Sequence, residues 1–95
     1  MSELIDAAVK ALSAKLSGGY DGVAKFVIPG EGAIMLDHSG VRAGDDEADV
    51  TLTAEADVFR AILDGAMNPT MAFMTGKLKV DGSMGQAMKL GAVLG

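Results

Sequence analysis

Between Met67 and Leu90 the chain reads Met-Asn-Pro-Thr-Met-Ala-Phe-Met-Thr-Gly-Lys-Leu-Lys-Val-Asp-Gly-Ser-Met-Gly-Gln-Ala-Met-Lys-Leu, and this stretch constrains the fold more than any other. An asparagine side chain accepts an orphan N–H at a helix start, and proline lacks the N–H that a first turn would leave unpaired. Asn68-Pro69 therefore predicts a short helix. Gly76 ends it, and Leu78 and Val80 then alternate with Lys77, Lys79 and Asp81 in the period of a half-buried strand. Gly82 turns the chain, and Ser83 with Gln86 has the spacing of a capping box, which opens a last helix. The predicted order is helix, strand, helix, with Leu78 and Val80 inward and the lysines toward water.

The rest of the chain repeats this one-sidedness. From Glu3 to Ser17, Leu4, Ile5, Ala8, Val9, Leu12 and Leu16 share one helical face opposite Glu3, Asp6, Lys10, Ser13 and Ser17, and Gly18-Gly19 ends the helix. Ala24, Phe26 and Ile28 share a strand face, and Pro29-Gly30-Glu31-Gly32 turns into a second strand that groups Ile34 with Leu36. His38-Ser39-Gly40 leads to a short strand at Val41-Arg42-Ala43, completing a three-stranded meander. Gly44-Asp45-Asp46-Glu47 reads as a solvated acidic connection, since its carboxylates lack the ligand order of a calcium loop. Ala48, Val50, Leu52 and Ala54 alternate with Asp49, Thr51 and Thr53. Val58, Phe59, Ile62, Leu63 and Ala66 then form the inner side of a second helix, with Gly65 at its end. One-sided strands and helices predict a two-layer α+β sandwich, because each apolar face needs a cover.

At 95 residues the chain reads as one domain, residues 1–95. Thirteen acidic against eight basic residues give a net charge of −5, which would repel phosphate backbones and anionic membrane surfaces and so disfavours nucleic acid as a partner. There is no cysteine and one histidine, so thiolate chemistry is excluded and a catalytic constellation is poorly supplied. Asp37, His38 and Ser39 hold the residue types of a hydrolase triad, but neighbours on an extended chain point to opposite sides and cannot align. His38 is read as an exposed turn residue. No metal, cofactor or catalytic site is expected. An apolar fraction of 49% without a bilayer-length run implies apolar surface turned inward. Residues 1 to 17 lack signal-peptide character and the C-terminal Val-Leu-Gly is not a peroxisomal address, so a cytoplasmic, bacterial protein is expected.

Five of the seven methionines, Met67, Met71, Met74, Met84 and Met88, lie in the opening stretch. Methionine fills irregular gaps and recurs where ligands of several shapes must be accepted, although spacing alone favours plain core filling. Gly85 and Gly91 sit inside the last helix, whose inner stripe is read as Met84, Ala87, Met88, Gly91 and Leu94. Interior glycines weaken a helix, so Ser83 to about Leu94 is expected to be a loosely held wall.

The ordered set Phe59-x-Ala61-x-x-x-Gly65-x-Met67-Asn68-Pro69, Ala72-Phe73, Gly76-Lys77-Leu78-Lys79-Val80, Gly82 and Met84-Gly85-x-Ala87-Met88-Lys89-Leu90 resembles the signature of the sterol carrier protein type 2 family, the non-specific lipid-transfer proteins. The match is dense in the C-terminal half and unspecific before it. The resemblance implies a five-stranded, mixed, mostly antiparallel sheet, with a crossover between the third and fourth strands. About four helices would cover one face, with an apolar cavity between the layers. It also implies non-enzymatic binding and transfer of a fatty acid, fatty acyl-CoA, sterol-like lipid or phospholipid, with transient membrane or lipid-enzyme contact. A second reading is an accessory subunit that presents a lipid intermediate, such as a quinone precursor, to a partner enzyme. Carried over by position, the lining comprises Phe59, Ile62, Leu63, Met67, Met71, Phe73, Met74, Leu78, Val80, Met84 and Met88, and Lys89 matches a family lysine.

Overall fold

The alternating strands assemble into one five-stranded sheet in a computed structural model, which describes residues 3–16 and 20–94. In chain order the elements are α1 (Glu3–Lys15), β1 (Ala24–Ile28), β2 (Gly32–Asp37), β3 (Gly40–Ala43), β4 (Val50–Ala54), α2 (Ala56–Leu63), α3 (Pro69–Met74), β5 (Leu78–Gly82) and α4 (Met84–Leu94). The strand order is β3-β2-β1-β4-β5. β1, β2 and β3 form the antiparallel meander, β4 runs parallel to β1 with Leu52 opposite Phe26, and β5 returns antiparallel with Val80 opposite Leu52. A parallel neighbour needs a long connection, and here the β2–β3 hairpin and the acidic loop supply it.

All four helices lie on one face of the sheet, and they divide it. α1 covers β2 and β3 and packs on α2, whereas α3 and α4 pack on each other over β5 and the neighbouring β4. The first half is closed. Ile5, Ala8 and Leu12 of α1 meet Ile34 and Leu36 in one buried cluster, and the Phe26 and Phe59 rings sit 5.0 Å apart at a tilt of 48°. Offset, tilted ring pairs of this kind add to plain area burial. The second half is where the space between layers is not filled.

Boundaries and faces follow the sequence reading with specific departures. Val50, Leu52 and Leu78 are buried and Lys77 and Lys79 exposed, as the strand period requires, but Val80, packed against the core on one side and bordering open space between the layers, is only half-buried. Thr51 and Thr53, expected to face water, are half-buried. Ala66 falls beyond the end of α2 and is exposed, so it is not part of the inner side. Leu90, absent from the expected stripe of α4, is fully buried, whereas Met84 and Met88 are 46% and 73% exposed. Ser17 and the Gly18-Gly19 helix end lie outside the described residues.

The helix starts show which local signals were obeyed. Asn68 Oδ1 accepts the N–H of Thr70 at 2.8 Å and of Met71 at 3.3 Å, with Pro69 in the first turn. Ser83 Oγ accepts the N–H of Gln86 at 3.3 Å, but Ser83's own N–H donates to the Asp49 carbonyl at 3.0 Å. Only half of the capping box forms. The acidic loop is also more than a solvated link. Lys25 Nζ meets Asp45 Oδ1 at 2.8 Å, and the loop passes over Met35, which is 1% exposed although it points to the uncovered sheet face.

Candidate functional site

Between α3, α4 and the β4–β5 side of the sheet lies a cavity of about 510 Å³. Its floor is Phe26 of β1, Leu52 of β4 and Leu78 and Val80 of β5; α2 contributes Ile62. α3 and its cap contribute Asn68, Pro69, Thr70, Phe73 and Met74, and α4 contributes Met84, Ala87, Met88, Gly91, Ala92 and Leu94. Among the described residues no charged side chain belongs to this wall, and Asn68 and Thr70 are its only polar side chains. Such a space holds an apolar body by shape and burial, with few polar groups to orient it.

Of the eleven residues expected to line a cavity, Ile62, Phe73, Met74, Leu78, Val80, Met84 and Met88 do so, and Phe59, Leu63, Met67 and Met71 do not. Phe59 of α2 is fully buried and packs its ring against that of Phe26, in the closed core beside the cavity. Leu63 and Met67 pack against the core cluster instead. Met71 is 56% exposed, because one helical turn carries Thr70 with Met74, and Pro69 with Phe73, toward the cavity and leaves Met71 outside. Phe26 and Leu52, read only as strand core, form the floor. Period-2 alternation identifies an inward residue but not whether the space above it is occupied.

The N-terminal end of α4 is tied down by one polar cluster. Tyr20 Oη donates to the Gln86 carbonyl at 3.1 Å and its Oε1 at 3.3 Å, and Gln86 Nε2 donates to Asp49 Oδ2 at 3.3 Å. The backbone N–H of Val23 reaches the same carboxylate oxygen at 3.3 Å. Gly22, at φ +123°, makes room for this: a Cβ there would lie 2.6 Å from Gln86 Oε1. Burial first, then the Asp21 and Asp49 carboxylates, push the Tyr20 phenol above its ordinary value of 10.0. A raised phenol stabilises the fold below the unfolded value, and that contribution is lost as pH climbs through the folded one. Thermal stability is therefore expected to fall above about pH 10, more steeply than in Tyr20→Phe, which itself should cost about 1 kcal/mol at neutral pH. Parallel pH profiles of the two proteins would contradict this.

The other groups singled out from the sequence lie away from the cavity wall. Asp37, His38 and Ser39 occupy the end of β2 and its turn, His38 exposed. Asp37 accepts the Ser39 N–H at 2.9 Å and Arg42 Nη1 at 2.8 Å, and the bond from Arg42 holds its carboxyl below the usual carboxylate range. Lys89 meets Asp21 at 3.4 Å. Among the described residues no three metal-ligating side chains cluster, and no helix is long and apolar enough to cross a membrane.

A sheet roofed on one face, with an apolar cavity left under two of its helices, defines an α+β sandwich with room between its layers for a small apolar molecule. Comparison with known proteins gives the particular one. The model of the SCP-2 sterol transfer family matches residues 2–95, and the chain belongs to that family. It is similar to hydroxysteroid dehydrogenase-like protein 2 of Xenopus laevis, at 34% identity over 103 residues. That alignment covers 100% of this chain and 25% of the relative. The chain spans a quarter or less of the length of the first curated relatives it matches, so their names do not define its activity. The solution structure of sterol carrier protein-2 of Aedes aegypti, in complex with the C16 fatty acid palmitate, superposes with a TM-score of 0.79 at 26% identity, covering 99% of this chain and 96% of that one. Sterol carrier protein 2 like 2 of the same mosquito gives 0.80 over 95% of both chains at 21% identity, a likeness of fold alone. The four-helix, five-stranded mixed sheet is thus the fold of this family.

Proposed function

We propose that the chain holds a lipid by its apolar chain in this cavity and hands it on unaltered. One observation supports the reading above the rest: a space of about 510 Å³, within the range of small-molecule pockets, whose wall among the described residues is apolar apart from Asn68 and Thr70. The palmitate held by the Aedes relative supports a fatty acyl chain as occupant. Fatty acids, fatty acyl-CoA, phospholipids and sterol-like molecules share the apolar body such a wall selects. With a wall of apolar side chains, a carboxylate or phosphate head is better solvated at the mouth than inside. Native mass spectrometry of the purified protein should show a bound mass that organic extraction identifies as lipid. Palmitate incubated with the protein should be recovered chemically unchanged, and turnover of it would contradict the carrier reading.

α4 is, on this reading, the wall that yields. Gly91 faces α3, where a Cβ would make ordinary contact, 3.9 Å from Pro69 Cβ, and its φ is not left-handed. Gly91→Ala should therefore raise stability by up to about 1 kcal/mol and slow lipid release. Faster release would show that α4 does not gate the cavity.

A further inference from the structure

The methionines of the described residues divide into two kinds. Met35 is 1% exposed and Met67 packs against the core cluster, as gap-filling side chains do. Met71, Met74, Met84 and Met88 are instead 56%, 72%, 46% and 73% exposed. Met74, Met84 and Met88 nevertheless belong to the cavity wall, and Met71 does not. Three thioethers thus border both the cavity and water at one rim. Met84 and Met88 lie one turn apart on α4, and Met74 comes from α3, which packs on α4.

Sulfur placed this way is reactive as well as apolar. A thioether takes one oxygen atom from a peroxide and becomes a polar sulfoxide, a change that reductases reverse. The chain has no cysteine, so no thiolate of its own competes for the oxidant. An unsaturated acyl chain that has acquired a hydroperoxide carries a polar group partway along its length. An apolar wall solvates that group poorly, and the open rim is where it reaches water.

We propose that Met74, Met84 and Met88 reduce a fatty acyl hydroperoxide held in the cavity, and that their oxidation then loosens the hold on the lipid. Methionine Sδ attacks the outer oxygen of the hydroperoxide. The O–O bond breaks, the S–O bond forms, and the proton of the outer oxygen passes through solvent to the inner one. The lipid leaves as the alcohol, reduced by two electrons, and the methionine, oxidised by two, remains as the sulfoxide. No other reductant is consumed, and each sulfur acts once. Binding supplies a proximity that collision from bulk water lacks. A sulfoxide at the rim sets a polar group against the acyl chain and favours its release. The inference rests on the carrier reading, and palmitate, which has no O–O bond, is still carried unaltered.

Peptide mass spectrometry of the protein at low conversion tests it. Hydrogen peroxide attacks from bulk water, so sulfoxide should form according to exposure, while linoleic acid hydroperoxide should favour the cavity wall. The ratio of sulfoxide at Met84 to that at Met71 should rise at least about tenfold from the first oxidant to the second, since a bound reactant gains more than that in effective concentration. Excess palmitate should suppress the reaction with the acyl hydroperoxide, and one hydroxy acid should appear for each sulfoxide. Met74→Leu/Met84→Leu/Met88→Leu, at saturating acyl hydroperoxide, should yield at least about tenfold less hydroxy acid than wild type. Wild type oxidised at the three positions should bind a fluorescent fatty acid about tenfold or more less tightly. An unchanged ratio, oxidation indifferent to palmitate, or unchanged affinity after oxidation would overturn the proposal. Protein that takes up neither palmitate nor the fluorescent fatty acid would remove the carrier reading and this one with it. Uptake accompanied by oxidation that follows exposure with both oxidants would remove this one alone.

Discussion

Phe59→Ala is expected to remove about 3–5 kcal/mol of stability in urea unfolding. Phe59 is 0% exposed and its ring sits 5.0 Å from that of Phe26, so truncation leaves a void inside the closed half of the sandwich. A domain of this size commonly holds about 5–15 kcal/mol in all, so the variant should be close to unfolded at physiological temperature. Met88→Ala provides the contrast. With 73% of Met88 exposed, its loss should change stability by less than about 0.5 kcal/mol. Equal costs at the two positions would mean that the division into a packed half and a half that contains the cavity is mistaken.

Val80→Trp should have the opposite profile. Val80 sits on the inner side of β5 opposite Leu52, half-buried under the open part of the cavity, and an indole there has room to lie over the floor. The fold should persist while affinity for a fluorescent fatty acid falls at least about tenfold, or about 1.4 kcal/mol. Thr53→Trp, on the same sheet but with alternating orientation away from the helices, is the control and should leave affinity unchanged. Loss of affinity in both variants, or in neither, would place the ligand elsewhere.

The layered fold was legible because its sheet is covered on one face only. Each strand then reports its orientation through alternation, and the Asn68-Pro69 and Gly76 signals are local enough to be obeyed whatever surrounds them. The cavity was legible in location and less so in composition. Leu52 and Phe26 read as ordinary core, since the vacancy above them depends on how far α3 and α4 stand off the sheet. Methionine content pointed to the right helices, yet the rotation of a six-residue helix decides that Met74 faces the cavity and Met71 does not. Leu90 was lost behind a stripe drawn through methionines.

Long-range polar contacts were hidden for a different reason. Gln86 has the spacing of a local cap partner, but its side chain is taken by Tyr20 and Asp49, 66 and 37 residues away in sequence. Met35 lies at a position in strand register with Lys25 and Arg42, where alternation predicts water, and is buried by a loop crossing the sheet.

The methionine ε-methyl groups offer the most direct test of lipid binding in this cavity, because they sample the cavity, its rim and the opposite sheet face. In a methyl-labelled sample titrated with palmitate, the Met74, Met84 and Met88 resonances are expected to shift and to show contacts to the alkyl chain. Met35, under the acidic loop, and Met71, on the outer side of α3, should stay in place. Shifts confined to Met35 or Met71, or no shift at any methionine at saturating palmitate, would contradict an acyl chain held between α3, α4 and the sheet.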